Sequence, residues 1–167
     1  MFAKQFLPLC LVSSLVLFSG CGQRLPDGMP KLYPVTISVT QEGNPLADCS
    51  VSLRYPDPSL GTWAVGGRTD DSGNAKLFTN GYPGAPEGTF KVVLVKVDNV
   101  GLDERVEAEG RNDFEAASRI TVRVWSCVEE KYNSPETTPL EVVIAPSTRT
   151  LSVDAGPAVE IAQPLLR

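Results

Sequence analysis

Apolar and polar residues alternate along several short stretches of the chain. In residues 35–39, valine and isoleucine are separated by threonine and serine. In residues 49–55, a cysteine, a valine, a leucine and a tyrosine alternate with serine and arginine. A period of two is typical of strands with one buried face. We therefore expect a strand in each stretch, with Cys49 on the buried face of the second.

Other strands are predicted from shorter or less regular patterns. Residues 90–97 are rich in β-branched side chains, which favour strands. Further strands are predicted at 63–69, 75–79, 120–127, 140–145 and 150–154, the last two as a hairpin across 146–149. About seven to eight short strands separated by turn-forming residues predict an all-β fold, an antiparallel β-sandwich.

Residues 98–119 interrupt this pattern with side chains of both charges, and within them residues 113–119 have a composition suited to one or two helical turns. We expect an exposed insertion, which is either a solvated connection or a binding element. The predicted organisation is a tether at 21–31, a sandwich domain at 32–156 that carries this insertion, and a tail at 157–167.

The N-terminus has the pattern of an export signal. Lys4 precedes an apolar run at residues 6–18, which is shorter than the roughly 20 residues that a membrane-spanning helix needs. Residues 18–21, Phe-Ser-Gly-Cys, resemble the lipobox of bacterial lipoproteins. The resemblance implies that a signal peptide at 1–20 is removed and that Cys21 carries a diacylglycerol, usually with a third acyl chain such as palmitate. The alternative is an ordinary secretory signal with an unrelated cysteine.

A lipidated Cys21 predicts a lipid-anchored protein of the cell envelope. Two or more acyl chains hold a protein firmly in a membrane, since each buried CH₂ contributes about 0.8 kcal/mol. Gly22 follows the cysteine, and by resemblance to proteobacterial sorting this slightly favours the outer membrane. The membrane is thus the first expected partner.

The composition excludes several classes of function. The chain has no histidine, which excludes Ser-His-Asp and Cys-His catalysis and histidine-bound metals. Its formal net charge is −5, and it has no lysine- or arginine-rich cluster, so it lacks the basic surface that nucleic-acid binding requires. We expect a protein that is not an enzyme, with no catalytic residue, no cofactor and no nucleic-acid partner.

Residues 69–74, Thr-Asp-Asp-Ser-Gly-Asn, have two interpretations. Aspartate and asparagine bond to nearby backbone in turns, and glycine adopts positive φ easily, which predicts a tight turn. A calcium loop is the alternative, but the ligand spacing and closing glutamate of an EF-hand are absent from this stretch. We favour the turn and expect no metal site.

Two of the four cysteines remain for the sandwich, Cys49 and Cys127, because Cys10 lies in the signal and Cys21 in the lipobox. An even pair in an exported, oxidising compartment favours a disulfide. By the chain-entropy model, a bridge across so long a loop contributes roughly 4 kcal/mol. Two buried free thiols that act as small apolar side chains are the alternative.

The order of several short motifs resembles the carboxypeptidase regulatory-like domain, a transthyretin-like sandwich. The motifs are V-x-I-x-V-x-x-x-G-x-P-L at 35–46, the strand at 49–53, T-D-x-x-G at 69–73 and G-T-F-K-V at 88–92. Residues 131–140 are similar to a segment of small bacterial lipoproteins of the planctomycete type.

The resemblance implies a Greek-key sandwich that serves as an accessory or structural domain. The related hydroxyisourate hydrolases depend on histidines, which this chain lacks. Domains of this type usually have alanine at the position of Cys49, which favours a special role for the cysteine, such as the disulfide.

Trp63 and Tyr82 are candidate ligand contacts, because both lie in or beside predicted loops. Trp125 and Tyr132 are instead expected to anchor the core or a corner. The sequence therefore predicts a membrane-anchored envelope lipoprotein with a non-catalytic β-sandwich that binds an envelope protein or serves a structural role. The alternative is a carbohydrate-binding module that uses the loop aromatics Trp63 and Tyr82.

Overall fold

The computed structural model describes residues 24–57, 59 and 63–163. Strands are the predominant regular structure of these residues, which confirms the predicted all-β class. Eight of their strands have four or more residues, in agreement with the predicted seven to eight. The predicted signal peptide at 1–20 and the lipid site at Cys21 lie outside the described residues.

The elements have the following bounds. The strands are β1 (Leu32–Tyr33), β2 (Thr36–Gln41), β3 (Asn44–Pro45), β4 (Ser50–Arg54), β5 (Val65–Arg68), β6 (Asn74–Lys76), β7 (Phe78–Thr79), β8 (Tyr82–Pro83), β9 (Ala85–Pro86), β10 (Gly88–Val95), β11 (Val97–Val100), β12 (Arg123–Ser126), β13 (Glu141–Ile144), β14 (Thr150–Asp154) and β15 (Ile161–Ala162). The helices are α1 (Leu102–Gly110) and α2 (Phe114–Arg119), and a 3-10 helix spans Glu130–Tyr132.

The largest sheet has six strands in the order β13-β10-β4-β5-β7-β8, and all of its pairings are antiparallel. Its central part is β10, in which Phe90, Val92 and Leu94 are fully buried. Lys91 and Val95 alternate with them and are partly or largely exposed. Because side chains alternate along a strand, this sheet has one core face and one outer face, and Val93 on the outer face is also buried, at 8% exposure.

The second sheet contains β14, β2 and β3, and β6 also pairs with β2. Strands β2 and β14 run parallel, with Thr36 opposite Thr150, so the antiparallel expectation does not hold for this pair. The predicted hairpin between the last two long strands is wrong. A turn, closed by the Thr148 N–H bond to the Ala145 carbonyl at 2.9 Å, carries the chain from β13 in the large sheet to β14 in the second.

One hydrophobic core lies between the two sheets. Cys49 is 0% exposed within it, which confirms the predicted buried face of the strand at 49–55. Full burial of one large apolar side chain contributes about 1.5–3 kcal/mol, so this cluster is the main stabilising feature of the sandwich. Its largest fully buried aliphatic and aromatic members include Ile37, Leu53, Leu77, Phe90, Leu94 and Ile144.

The strand predicted at 75–79 is divided between the two sheets. β6 pairs with β2, whereas β7 pairs with β5. Leu77 lies between them, is 2% exposed and donates its N–H to the Val35 carbonyl at 3.0 Å. The buried Leu77 therefore links the two sheets at the point where the chain passes from one to the other. The apolar pattern of residues 75–79 continues across this point.

A smaller three-stranded sheet, β11-β12-β15, joins the helical insertion to the sandwich. The helical turns predicted at 113–119 are present as α2, whose N-cap Asp113 accepts a hydrogen bond from the Ala116 N–H at 3.0 Å. Helix α1 was not predicted. The predicted tail at 157–167 also differs, because β15 within it pairs with β12.

Candidate functional site

Cys49 and Cys127 both lie at the C-terminal end of β10, yet both are free thiols. Ser50, next to Cys49, pairs with Val95, and the Cys127 N–H donates to the Lys96 carbonyl at 2.9 Å. The Cys49 Sγ lies 3.7 Å from the Ser50 carbonyl oxygen, and the Cys127 Sγ lies 3.9 Å from the Trp125 carbonyl oxygen. The predicted disulfide is therefore not formed in the structure, where each Sγ instead lies near a backbone carbonyl oxygen.

Neither thiol is activated near neutral pH. Burial raises the pKa of Cys49 to about 11. Burial, with a hydrogen bond to Asp98 and the charge of that carboxylate, raises the pKa of Cys127 to about 11. Because the thiolate is the nucleophilic form, these environments favour inert cysteines.

A cleft of about 430 Å³ lies where β4 ends and the chain approaches β5. We call it the aromatic cleft, and its principal lining residues are Arg54, Tyr55, Trp63, Lys91, Pro135 and Glu136. It combines two aromatic rings with side chains of both charges. Ligand sites commonly have such a concave, partly apolar surface with a few polar groups.

The strand registers explain how the aromatic rings come together. Leu53 is opposite Val65, so extending the β4–β5 register by two residues places Trp63 opposite Tyr55. The Tyr55 ring packs on Phe90 of β10, with ring centroids 4.6 Å apart and planes at 45°. The buried Phe90 therefore supports Tyr55 from the core side, while Trp63 stays only half-buried.

The cleft also carries two neighbouring cations. Lys91 of β10 is directly opposite Arg54 of β4 on the outer face of the large sheet. Lys91 is also opposite Glu141, and the Lys91 Nζ lies 3.4 Å from the Glu141 Oε2. Among the described residues, Arg54 makes no salt bridge. The guanidinium thus lies beside a like charge without a carboxylate partner of its own.

The two predicted ligand contacts do not share this site. Trp63 lines the aromatic cleft. Tyr82 lies on β8 opposite Thr79, at the far edge of the large sheet, and is not among the residues that line the cleft. Tyr55 and Arg54 were not predicted as site residues, although the predicted strand at 49–55 placed both near its end.

Trp125 and Tyr132 have different surroundings. Tyr132 is 6% exposed and belongs to the core, as predicted. Trp125 is outside the core cluster and instead lines a second concavity of about 600 Å³, together with Lys96, Asp98 and Cys127. The prediction of Trp125 as a core or corner anchor is therefore wrong, because β12 pairs with the exposed β11 and not with a strand of the sandwich.

The insertion exposes several large apolar side chains. Ala108 and Ala117 are the buried residues of α1 and α2, whose residues contact each other. The apolar insertion surface, as we define it, consists of Val100, Leu102, Val106 and Phe114, which are 56%, 38%, 57% and 65% exposed. These residues come from β11, α1 and α2, and thus from consecutive elements of one small subdomain.

The insertion is acidic around these apolar side chains. Residues 98–119 contain seven acidic and three basic residues. Each arginine pairs with a glutamate four residues away along the chain: Arg105 with Glu109, Arg111 with Glu107 and Arg119 with Glu115. The remaining carboxylates leave the insertion with a negative net charge.

The turn predicted at 69–74 is present. The Asp70 Oδ1 accepts hydrogen bonds from the backbone N–H groups of Ser72 and Asn74 at 3.0 and 2.9 Å, and Gly73 has a φ of 74°. Within the described residues, no cluster of three or more His, Cys, Asp or Glu side chains forms a potential metal site. None of the helices in this part of the chain is long and apolar enough to span a membrane.

Comparisons with protein-family models, curated proteins and solved structures found no match to this chain.

Proposed function

We propose that this protein is a cell-envelope lipoprotein whose non-catalytic β-sandwich, of the carboxypeptidase regulatory-like type, binds another envelope protein. In this proposal the signal at 1–20 is removed and lipid on Cys21 holds the domain at the membrane surface, with the outer membrane slightly favoured. The observation that carries the binding role is the apolar insertion surface. Contiguous exposed apolar side chains are typical of interaction sites, and Leu102 and Val106, four residues apart on α1, are such neighbours.

The insertion supports binding by its construction. Leu102 and Val106 are one helical turn apart on α1 and so lie side by side on its surface. The small residues Ala108 and Ala117 supply the buried contacts of the two helices. The larger apolar side chains are therefore not required for helix packing, and a partner can bury them.

Charge favours a partner of one kind. The three arginines of the insertion are already paired with glutamates, so its excess carboxylates are the charges that a partner meets. We propose that the partner presents an apolar contact surrounded by lysine or arginine. Such complementary charges accelerate encounter and select against acidic surfaces.

Recovery of the partner from native membranes tests this proposal. We expect the wild-type protein to recover one protein reproducibly, with less recovered as salt concentration rises. We expect the Val106→Ser and Phe114→Ser double variant to recover about tenfold less, since loss of central apolar contacts removes most of the binding energy. Equal recovery by the double variant would show that the insertion is not the contact.

Val143→Ser is the matched control. Val143 is 60% exposed, close to the 57% of Val106. It lies outside the insertion, on β13 at one edge of the largest sheet. This variant should recover the partner as the wild type does. A loss of recovery with Val143→Ser would move the contact to the sheet.

Carbohydrate binding is the second candidate function, and the aromatic cleft favours it. Trp63 and Tyr55 offer two aromatic surfaces within one concavity. Sugar rings pack on such surfaces through their C–H groups while their hydroxyls bond to polar side chains. In this candidate function Trp63 keeps its predicted role, and Tyr55 replaces Tyr82 as its aromatic partner.

A further inference from the structure

We infer that the aromatic cleft binds an acidic sugar, namely a uronic-acid unit of a glycan. The inference rests on the carbohydrate-binding candidate function and adds the chemical class of the ligand. It is carried by three features of the cleft: the unpaired cation at its wall, the supported aromatic rings, and a carboxylate that accepts hydrogen bonds.

The cation is the first feature. Like charges directly opposite each other on neighbouring strands destabilise a sheet, and Arg54 is opposite Lys91. Glu141 offsets the charge of Lys91, while no described carboxylate pairs with Arg54. A ligand carboxylate would supply the partner that the described residues do not.

Arginine is suited to this task. Its planar guanidinium donates two parallel hydrogen bonds to one carboxylate, which gives both strength and orientation. Arg54 is the last residue of β4, so its backbone is fixed by pairing with Lys91 on β10. A site on a strand holds its side chain more accurately than a site on a free loop.

The aromatic rings are the second feature. The Tyr55 ring packs on Phe90, and Tyr55 and Trp63 both line the cleft. Rigid aromatic side chains offer large contact areas at a small cost in conformational entropy. The cleft volume of about 430 Å³ suits one or two sugar units.

Glu136 is the third feature. It lies in the cleft with its carboxylate bonded to the Ser134 hydroxyl, and this hydrogen bond lowers the pKa of Glu136. An ionised carboxylate accepts hydrogen bonds from hydroxyl groups, and its negative charge counts against each further anionic group that a ligand brings. The cleft therefore fits a ligand with one carboxylate and several hydroxyls better than it fits a polyphosphate.

Affinity electrophoresis of the full lipoprotein in detergent tests the inference. The probes are polygalacturonate and alginate, and the matched control polymer is fully methyl-esterified polygalacturonate, which keeps the sugar backbone but has no charge. We expect the two acidic polymers to retard the protein and the ester to bind at least tenfold more weakly. Equal retardation by the ester would overturn the acidic preference but leave carbohydrate binding intact. No retardation by any of the three would overturn both.

Variants locate the site. We expect Arg54→Gln and Trp63→Ala each to weaken binding of polygalacturonate at least tenfold. Arg54→Gln removes a like-charge neighbour and is expected to fold, and thermal unfolding checks this for both variants. Arg68→Gln is the control, because Arg68 lies on the adjacent β5 but pairs with Asp48. If polygalacturonate binds wild type, Arg54→Gln and Trp63→Ala equally, the cleft is not the site.

Discussion

Cys49 shows how far a single position can be predicted. Alternation along residues 49–55 predicts its burial, and the structure confirms this. The disulfide between Cys49 and Cys127 was predicted from the expected oxidising compartment and from the even number of cysteines. Neither observation specifies the direction of either Cα–Cβ bond. Disulfide geometry is narrow, and the two thiols instead lie beside the carbonyls of Ser50 and Trp125.

The Cys49 thiol should make the fold sensitive to alkali. Its pKa is raised from 9.0 to about 11, so between these values the unfolded chain loses a proton that the folded protein keeps. The free energy of unfolding therefore falls as pH rises through this window, and the contribution is complete below pH 9. Under reducing conditions, urea unfolding at several pH values should show a shallower fall for Cys49→Ala than for the wild type.

This comparison of slopes is insensitive to the cavity that Cys49→Ala leaves, because the cavity lowers stability at every pH. Lysine and tyrosine titrations are shared by both proteins and cancel. Parallel curves across the window would contradict the proposed environment of Cys49.

The glycine pair of β5 explains how a weakly patterned strand fits between its neighbours. An added Cβ at Gly66 would lie 2.6 Å from the Val51 carbonyl oxygen, and one at Gly67 would overlap the Lys76 carbonyl oxygen. Both neighbours are backbone atoms of paired strands and cannot turn aside. The backbones of β4 and β6 therefore approach β5 closely at this glycine pair.

Gly67→Ala should therefore destabilise the sandwich by about 1–3 kcal/mol, as overpacking of a tightly packed region usually does. The measurement is urea-induced unfolding monitored by tryptophan fluorescence. Gly110→Ala is the control, since nothing lies within 4 Å of its added Cβ, and it should be neutral or slightly stabilising. A Gly67→Ala protein as stable as the wild type would show that β5 and β6 do not pack so closely.

Elements with strong alternation were predictable, whereas elements set by distant pairing were not. β2 and β10 follow their apolar patterns. The hairpin assigned to the last two long strands fails because β13 pairs with β10 and β14 with β2, and such pairings depend on sheet edges that one sequence does not reveal. Helix α1 had a usable signal, namely Arg105 and Glu109 at the spacing that supports a helix.

The aromatic cleft was only partly predictable for the same reason. Trp63 was identified as a loop aromatic, but its partners Tyr55 and Arg54 depend on the β4–β5 and β4–β10 registers. Tyr82 has a similar local sequence character but lies at another sheet edge. Local sequence thus identified aromatic residues in or beside loops. The sheet topology determined which of them line the aromatic cleft.

At the scale of the described molecule, the stabilising core and the proposed binding surface lie in different parts of the fold. The two large sheets enclose the core, while β11, α1, α2 and β12 form an appendage with exposed apolar side chains and excess negative charge. Changes in the appendage are therefore expected to affect a partner more than the fold. Our central claim is that this surface binds an envelope protein while lipid on Cys21 keeps the domain at the membrane.

Site-specific photocrosslinking in intact cells tests that claim most directly. A photoreactive residue at position 106 should crosslink to one protein, and the same residue at position 143 should not, although the two native valines are 57% and 60% exposed. The position-106 crosslink should be lost or greatly reduced in a Cys21→Ala form. Equal labelling from both positions, or no crosslink from position 106 in the anchored protein, would contradict the account.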